Sequence, residues 1–130
     1  MREALPPLRV FVVENHEDTR FLLCLLLEQS GHVVESASSM REALVLLSRS
    51  EHDVLISDVG LPDGSGWELM KRLEAELPKR IYAIAMSGFG MASDRDTSRA
   101  AGFRHHLVKP VDPSDLERLL EEAAHERAAA

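Results

Sequence analysis

Short runs of β-branched and apolar residues alternate along the chain with longer segments whose apolar residues recur at helical spacing. The short runs predict five strands buried on both faces, at 8–13, 32–37, 53–58, 81–86 and 103–108. Each run is followed by a segment that predicts a helix, and these segments lie at 17–30, 39–50, 65–77, 91–101 and 113–125. Strands that alternate with helices are typical of a parallel sheet with helices on both faces. The pattern therefore predicts a doubly wound α/β fold with a five-stranded parallel sheet.

Local signals indicate where several helices begin and end. Capping residues predict helix starts at Ser39, Ser65 and Asp112. Gly31 predicts the end of the first helix, because glycine readily adopts the left-handed conformation found there. The fourth helix has the fewest apolar residues, so we expect it to be mobile or to await a partner. The tail 127–130 is expected to fray.

The composition fits one folded domain. The chain has 130 residues, of which 45% are hydrophobic and 28% are charged, and we expect a single domain over 1–130 with a core at about 8–125. The formal net charge of −7 is a poor match for nucleic acid or an anionic membrane, and it favours a cation or a basic protein surface. Cys24, the only cysteine, lies in an apolar run typical of a buried side chain, and no segment is typical of a signal peptide or a membrane span. We therefore expect a cytoplasmic protein.

Polar residues follow four of the predicted strands, at the ends where ligands bind in open parallel α/β sheets. The first strand is followed by Glu14 and Asn15, and the third ends at Asp58. Ser87 and Lys109 follow the fourth and fifth strands. Taken one at a time, these are ordinary strand-end residues. Because the carboxyl ends of parallel strands meet at one edge of the sheet, together they predict a site with two carboxylates, an amide, a hydroxyl and an ammonium group.

The residue types favour a hard cation beside a carboxylate nucleophile. Oxygen donors suit Mg²⁺ better than Zn²⁺, which prefers Cys and His ligands. A phosphoryl group brought to Asp58 would share its negative charge with the cation, Lys109 and Ser87, and phosphoryl transfer depends mainly on such positioning and electrostatic stabilisation. A carboxylate can act as the nucleophile and form an acyl phosphate. The pattern thus predicts phosphoryl transfer to Asp58.

Four segments of the chain resemble the receiver domains of two-component response regulators. They are 12–15, 58–66, 86–88 and 108–110, and they occur in family order and at family spacing. The resemblance covers nearly the whole chain, from about residue 8 to residue 124. It implies the flavodoxin-like strand order 2-1-3-4-5. It also implies a cis peptide bond between Lys109 and Pro110.

The resemblance further implies how the phosphoryl group and the metal would be held. Asp58 would accept the phosphoryl group from a phosphohistidine on a histidine kinase or a histidine phosphotransfer protein. Mg²⁺ would be held by the side chains of Glu14, Asn15 and Asp58 and by the backbone carbonyl of Gly60. Lys109 would pair with the bound phosphoryl group.

Other matched positions imply how the signal would leave the site. Ser87 matches the switch hydroxyl that turns toward the phosphoryl group, and His106 matches the switch aromatic, which is usually Tyr or Phe. Gly60 and Phe89 match two positions that tune loss of the phosphoryl group. The output would reach a downstream protein through the fourth helix, the fifth strand and the fifth helix. The resemblance therefore implies a signalling domain rather than an enzyme, one that catalyses at most its own phosphorylation and dephosphorylation.

The pair of residues after the first strand departs from the family pattern. The family usually has two acids there, whereas this chain has Glu14 and the neutral Asn15. Removing a unit charge about 4 Å from a dication removes several kcal/mol of attraction at an effective dielectric of about 20, partly cancelled by desolvation. One hypothesis is that Asn15 supplies a carbonyl oxygen and phosphorylation survives with weaker Mg²⁺ binding. The other is that metal binding fails and the chain is a receiver-like docking module without phosphotransfer.

Three further interpretations are weighed against the phosphoryl-transfer site. A flavodoxin would share the strand order, but the acidic loop 14–18 would repel the phosphate of FMN. An aspartyl phosphatase would need a general acid two residues after Asp58, where Gly60 stands. His105 and His106 are adjacent on a predicted strand and so point to opposite faces, which favours a packing or surface pair over a transition-metal site. His106 would make the switch pH-sensitive if it titrates near the ordinary value of about 6.5.

Overall fold

The computed structural model describes residues 7–77, 80–88 and 92–129. Strands and helices alternate along these ranges as the apolar pattern predicts. In chain order the elements are β1 (Arg9–Val13), α1 (Glu17–Gln29), β2 (Val33–Ala37), α2 (Met40–Leu47), β3 (Val54–Asp58), β4 (Gly60–Leu61), β5 (Gly64–Ser65), α3 (Gly66–Glu76), β6 (Tyr82–Ser87), α4 (Ala92–Ala101), β7 (His105–Val108) and α5 (Pro113–Ala129).

Five of these strands form one parallel sheet in the order β2-β1-β3-β6-β7. When only the strands of this sheet are numbered, the order is 2-1-3-4-5, so the predicted fold class and the strand order implied by the resemblance are confirmed. The two remaining strands, β4 and β5, form an antiparallel hairpin in which Gly60 pairs with Ser65. The glycine-rich composition of 60–66 indicates a tight turn, which lies at Pro62 and Asp63, but it does not indicate the strand pairing on either side of that turn.

The apolar strands are buried on both faces because alternate residues belong to two separate cores. In β1, Val10 and Val12 pack in the core that contains residues of α1 and α5. Phe11 and Val13 pack in the core that contains residues of α2 and α3. All four side chains are fully buried. This two-sided burial explains why the strands are continuous apolar runs rather than alternating ones.

The predicted caps are present at the starts of α2 and α3. The hydroxyl of Ser39 accepts a hydrogen bond from the backbone N–H of Glu42 at 3.2 Å, and that of Ser65 accepts one from the N–H of Glu68 at 3.0 Å. Gly31 follows α1 with φ of +94°, a conformation that favours glycine. The Lys109–Pro110 peptide bond is cis, as the resemblance implies.

Two helix ends differ from their predicted positions. Helix α2 ends at Leu47 rather than near residue 50. Just after this end, the hydroxyl of Ser48 donates to the backbone carbonyl of Val45 at 2.7 Å, and this bond competes with continued helical hydrogen bonding. Helix α5 continues to Ala129, beyond its predicted end at about residue 125. Arg127 anchors this end of the helix by donating to the backbone carbonyl of His52 at 3.2 Å and by pairing with the carboxylate of Asp53 at 3.2 Å.

Helix α4 packs on the sheet through a narrow face. Ser98 and Ala101 are buried, whereas residues 95–97 are exposed. No helix in the described ranges is long and apolar enough to cross a bilayer.

Candidate functional site

The carboxyl edge of the sheet brings together three charged side chains that the strand-end pattern predicts. Glu14 follows β1, Asp58 ends β3 and Lys109 follows β7. The Lys109 ammonium donates to Asp58 Oδ2 at 2.8 Å and to Glu14 Oε1 in a short hydrogen bond. We call Glu14, Asp58 and Lys109 the ionic cluster.

Glu14 is held inward although it lies in a loop. Only 1% of the residue is exposed. Its backbone N–H donates to the carbonyl of Ala37 at 3.1 Å, which continues the pairing of β1 with β2, and its own carbonyl accepts from the guanidinium of Arg20 at 2.8 Å. Its second carboxylate oxygen accepts from the backbone N–H of His16 at 3.1 Å. Contacts with His16 and Arg20, at the start of α1, therefore hold Glu14 in this position.

Asp58 is positioned by the end of β3 and by the start of α3. One carboxylate oxygen, Oδ1, accepts from the backbone N–H of Gly60 at 3.3 Å. A Cβ atom at Gly66 would lie 2.5 Å from the backbone oxygen of Asp58, so only glycine allows α3 to begin this close to the strand end. The N–H of Gly66 donates to the carbonyl of Val59 at 2.8 Å and closes the loop.

The electrostatics of the ionic cluster are unbalanced. Burial raises the pKa of Asp58, and the charge of Glu14 raises it further, so that the hydrogen bond from Lys109 offsets only part of the shift. Burial also acts against ionised Glu14, but hydrogen bonds from Lys109 and His16 hold its pKa below the ordinary value. Burial would lower the pKa of Lys109, yet hydrogen bonds with Asp58 and Glu14 hold it above its ordinary value. At neutral pH two carboxylates thus share one ammonium group.

These residues fit a hard dication. The excess negative charge and the oxygen donors of Glu14 and Asp58 are what Mg²⁺ prefers. Asn15 follows Glu14 in the loop after β1, where it is exposed, and its side chain carries no charge. Gly60 is exposed beside Asp58, and a Cβ there would meet nothing within 4 Å, so this backbone is open to solvent.

A second group of polar residues, without a formal charge pair, extends from the end of β6. The Ser87 hydroxyl and Nε2 of His106 are joined by a hydrogen bond of 2.7 Å. On the other side of the ring, His106 Nδ1 lies 2.8 Å from the hydroxyl of Ser98 in α4. The indole N–H of Trp67 donates to the same hydroxyl at 2.8 Å. We call Ser87, His106, Ser98 and Trp67 the neutral cluster.

The sequence pattern singles out Ser87 and His106 but not their partners. Ser98 lies three residues before the buried Ala101, so helical spacing was the signal that could have placed it on the inner face of α4. The next residue along β7, His105, points the other way, and its Nε2 lies 2.9 Å from the hydroxyl of Tyr82. Phe89, which matches a tuning position of the family, lies outside the described residues.

A family model for the response regulator receiver domain matches residues 10–121. The chain belongs to this family. The receiver domain is 39% identical over 122 residues to an uncharacterized 14.6 kDa protein of Leptolyngbya boryana, a match that covers 92% of each chain. It is also 32% identical to the two-component response regulator PhoP of Pseudomonas aeruginosa and 34% identical to the virulence sensor protein BvgS of Bordetella bronchiseptica.

Solved structures agree with this membership. A putative response regulator from Chloroflexus aurantiacus superposes with a TM-score of 0.86 at 28% identity, covering 92% of this chain and 99% of that one. A CheY-like receiver domain protein from Methanospirillum hungatei superposes with a TM-score of 0.87 at 25% identity, covering 95% and 98%. The matches to PhoP and BvgS cover 87% and 90% of this receiver domain but only 50% and 10% of those longer proteins.

Proposed function

We propose that the receiver domain accepts a phosphoryl group on Asp58 from a phosphohistidine of a histidine kinase or a histidine phosphotransfer protein. The ionic cluster is the observation that carries this proposal. Its two carboxylates share one ammonium group at the carboxyl edge of the sheet, and burial, together with the nearby charge of Glu14, raises the pKa of Asp58. An incoming phosphoryl group would meet a carboxylate nucleophile with a cationic side chain 2.8 Å away.

The chain's own residues have distinct parts in the transfer. A carboxylate oxygen of Asp58 forms the new O–P bond while the N–P bond to the donor histidine breaks, and the donor imidazole keeps the electron pair of that bond. Lys109, released from Asp58 Oδ2, pairs with a phosphoryl oxygen and stabilises the transferred charge. Ser87 donates its hydroxyl to another phosphoryl oxygen. These contacts replace the sharing of one ammonium group by two carboxylates.

Mg²⁺ is part of the proposal. Glu14, Asn15, Asp58 and the carbonyl of Gly60 would hold it, and when bound it would neutralise charge on the phosphoryl oxygens. Glu14 is already ionised and buried, so it supplies a fixed negative ligand. Asn15 contributes only a neutral oxygen, and we therefore expect weaker Mg²⁺ binding than a second acid would give.

The output and setting of the domain complete the proposal. We propose that the domain acts as a switch rather than as an enzyme on a separate substrate, and that α4, β7 and α5 form the face that changes. Ser98 and His106 link Ser87 to this face, and the partly exposed Val108 lies on it. The net charge of −7 favours a protein partner over nucleic acid or an anionic membrane, in a cytoplasmic setting.

The decisive experiment is a Mg²⁺ titration followed by Trp67 fluorescence and then by addition of beryllofluoride, an acyl phosphate mimic. We expect both to bind at millimolar Mg²⁺. The variant Asn15→Asp should tighten Mg²⁺ binding by about tenfold, because it restores a unit charge beside the dication. Asp58→Asn should abolish beryllofluoride binding and serves as the matched negative control.

A second candidate function rests on Asn15 itself. If the unmodified chain binds neither Mg²⁺ nor beryllofluoride while Asn15→Asp binds both, the neutral residue has disabled the site. The chain would then be a receiver-like docking module without phosphotransfer. Binding of beryllofluoride by the unmodified chain would overturn this second candidate.

A further inference from the structure

The neutral cluster is a continuous hydrogen-bonded path from α3 to the end of β6. It runs from Trp67 through Ser98 and His106 to Ser87, in three steps of 2.8, 2.8 and 2.7 Å. Ser98 and Ser87 are only 1% and 6% exposed. Because these hydroxyls are buried, their protons need acceptors within the protein rather than in bulk water.

The path has a direction that starts at Trp67. An indole N–H can only donate, so the Ser98 hydroxyl accepts at this step. Within the ranges that the structure describes, the only acceptor available to the Ser98 proton is Nδ1 of His106. The neighbouring Thr97 behaves differently, since its hydroxyl donates to the backbone carbonyl of Ser93 at 2.8 Å. Satisfying Ser98 therefore requires that Nδ1 of His106 carry no proton.

The direction continues through the imidazole ring. A neutral histidine without a proton on Nδ1 carries it on Nε2, which then donates to Ser87. Ser87 accepts at this step, and its own hydroxyl proton is directed to an acceptor other than His106. In the opposite tautomer Ser87 would have to donate to His106 and could not donate to a phosphoryl oxygen while that bond lasts.

We propose that Trp67 and Ser98 are positioning residues that fix His106 in its Nε2–H tautomer and so orient the Ser87 hydroxyl as a donor to the phosphoryl group. This inference rests on the proposed phosphorylation of Asp58 for its functional consequence. It assigns to α3 and α4 a part in setting the switch hydroxyl before any phosphoryl group arrives. The coupling uses hydrogen-bond direction and requires no charge.

The tautomer is tested on the unphosphorylated full chain, independently of phosphotransfer. Nitrogen-15 NMR of the imidazole rings above the titration range of histidine should show a protonated Nε2 and an unprotonated, hydrogen-bonded Nδ1 for His106. Ser98→Ala should move the Nδ1 resonance toward that of a nitrogen without a hydrogen bond, and Trp67→Phe should move it in the same direction by less. Thr97→Ala, which removes a hydroxyl from the same helix, should leave it unchanged. A protonated Nδ1 in the unmodified chain, or no response to Ser98→Ala, would overturn the proposal.

The functional consequence is tested by beryllofluoride binding at saturating Mg²⁺, followed by fluorine-19 NMR. We expect Ser98→Ala to weaken binding by about 3- to 10-fold, the effect of one lost hydrogen bond, and Thr97→Ala to have no effect. Unchanged affinity in Ser98→Ala would show that the path does not orient Ser87 for its ligand. If the unmodified chain bound no beryllofluoride, the proposed function would fail, and with it the part of this inference that concerns Ser87, while the ring nitrogens would still report on the tautomer.

Discussion

Two polar clusters lie along the same carboxyl edge of the sheet and are built on opposite principles. The ionic cluster, at the ends of β1 and β3, buries two carboxylates against the single ammonium group of Lys109. The neutral cluster, at the end of β6, links four uncharged side chains in a row. The first leaves excess negative charge, whereas the second has no ion pair and is joined by directional hydrogen bonds.

This difference suits the ionic cluster to binding ligands and the neutral cluster to coupling Ser87 with the helices. Excess charge makes the ionic cluster unstable by itself and receptive to a cation, so that ligands can change its energy strongly. The neutral cluster gains little from a cation, but its hydrogen bonds are directional and join two helices to Ser87. Ligand binding thus depends on charge interactions in the ionic cluster, and coupling to the helices depends on hydrogen bonds in the neutral cluster.

Removing the shared cation should have the largest effect. Lys109→Met leaves the buried carboxylate of Glu14 facing that of Asp58, and we expect the free energy of unfolding at neutral pH to fall by about 2 kcal/mol, less than for a fully buried pair because Lys109 is 27% exposed. The loss should shrink in acid, where the carboxylates become neutral. Urea unfolding in metal-free buffer, at neutral and at acid pH, measures the loss and its decrease. Lys71→Met on the exposed side of α3 is the control, and an equally small loss in the two variants would contradict the prediction.

Removing one of the two carboxylate charges should stabilise the protein. The pKa of Asp58 is raised in the folded state, so its ionised form costs stability at neutral pH, and that cost disappears below the ordinary value of 3.8, where the carboxyl is protonated in both states. Asp58→Asn should therefore raise the free energy of unfolding by about 1 kcal/mol at neutral pH and by nothing in strong acid. Thermal melts of Asp58→Asn and the unmodified chain, from strong acid to neutral pH, test this prediction. The exposed Asp96→Asn should show no such gain, and a gain that persisted in acid would refute the electrostatic cause.

The ionic cluster could be predicted from the sequence, whereas half of the neutral cluster could not. Glu14, Asp58 and Lys109 stand at strand ends, and parallel strands bring their carboxyl ends to one edge whatever the details of packing. Ser98 and Trp67 meet across 31 residues, between two helices. Their contact depends on how α3 and α4 are rotated and spaced on the sheet, which a hydrophobic stripe specifies only roughly.

The same limit explains where the fold differs from its prediction. Strand order and element type follow from local pattern and from the family resemblance. The extension of α5 to Ala129 depends on Arg127 reaching Asp53, a contact between distant parts of the chain. The β4–β5 hairpin depends on two short backbone pairings in a segment whose composition indicates only a turn. Both are tertiary effects that local propensity does not contain.

A change in the neutral cluster should have an effect on stability about half that of Lys109→Met, and one that does not depend on salt. Trp67→Phe keeps an aromatic ring at the start of α3 but removes the hydrogen bond to the buried Ser98 hydroxyl, so we expect a loss of about 1 kcal/mol in the free energy of unfolding. Since no formal charge is removed, the loss should be equal in low and high salt. Urea unfolding at two ionic strengths measures this. A loss that changed with salt would mean that formal charges contribute to the neutral cluster and that the two clusters are not energetically distinct.

The smallest effect is expected at a charge that lies near the ionic cluster but outside it. Asp63, exposed in the turn between β4 and β5, accepts hydrogen bonds from the first two backbone N–H groups of α2, those of Met40 and Arg41, at 2.8 and 2.9 Å. These bonds lower its pKa, so its contribution to stability is present above the ordinary value of 3.8 and is lost as the pH falls through the folded value. Asp63→Asn should therefore lower the melting temperature slightly at neutral pH and leave it unchanged in strong acid.

The pH dependence of Asp63→Asn should be opposite in sign to that of Asp58→Asn. Both replace one carboxylate with an amide, but Asp63 is exposed and bonded to helix N–H groups, whereas Asp58 is partly buried beside Glu14. Thermal melts of the two variants, recorded at the same series of pH values, compare them directly. If Asp63→Asn also stabilised the protein at neutral pH, overall negative charge would account for both results. The ionic cluster would then owe its behaviour to the net charge of the domain rather than to the burial of two carboxylates around one ammonium group.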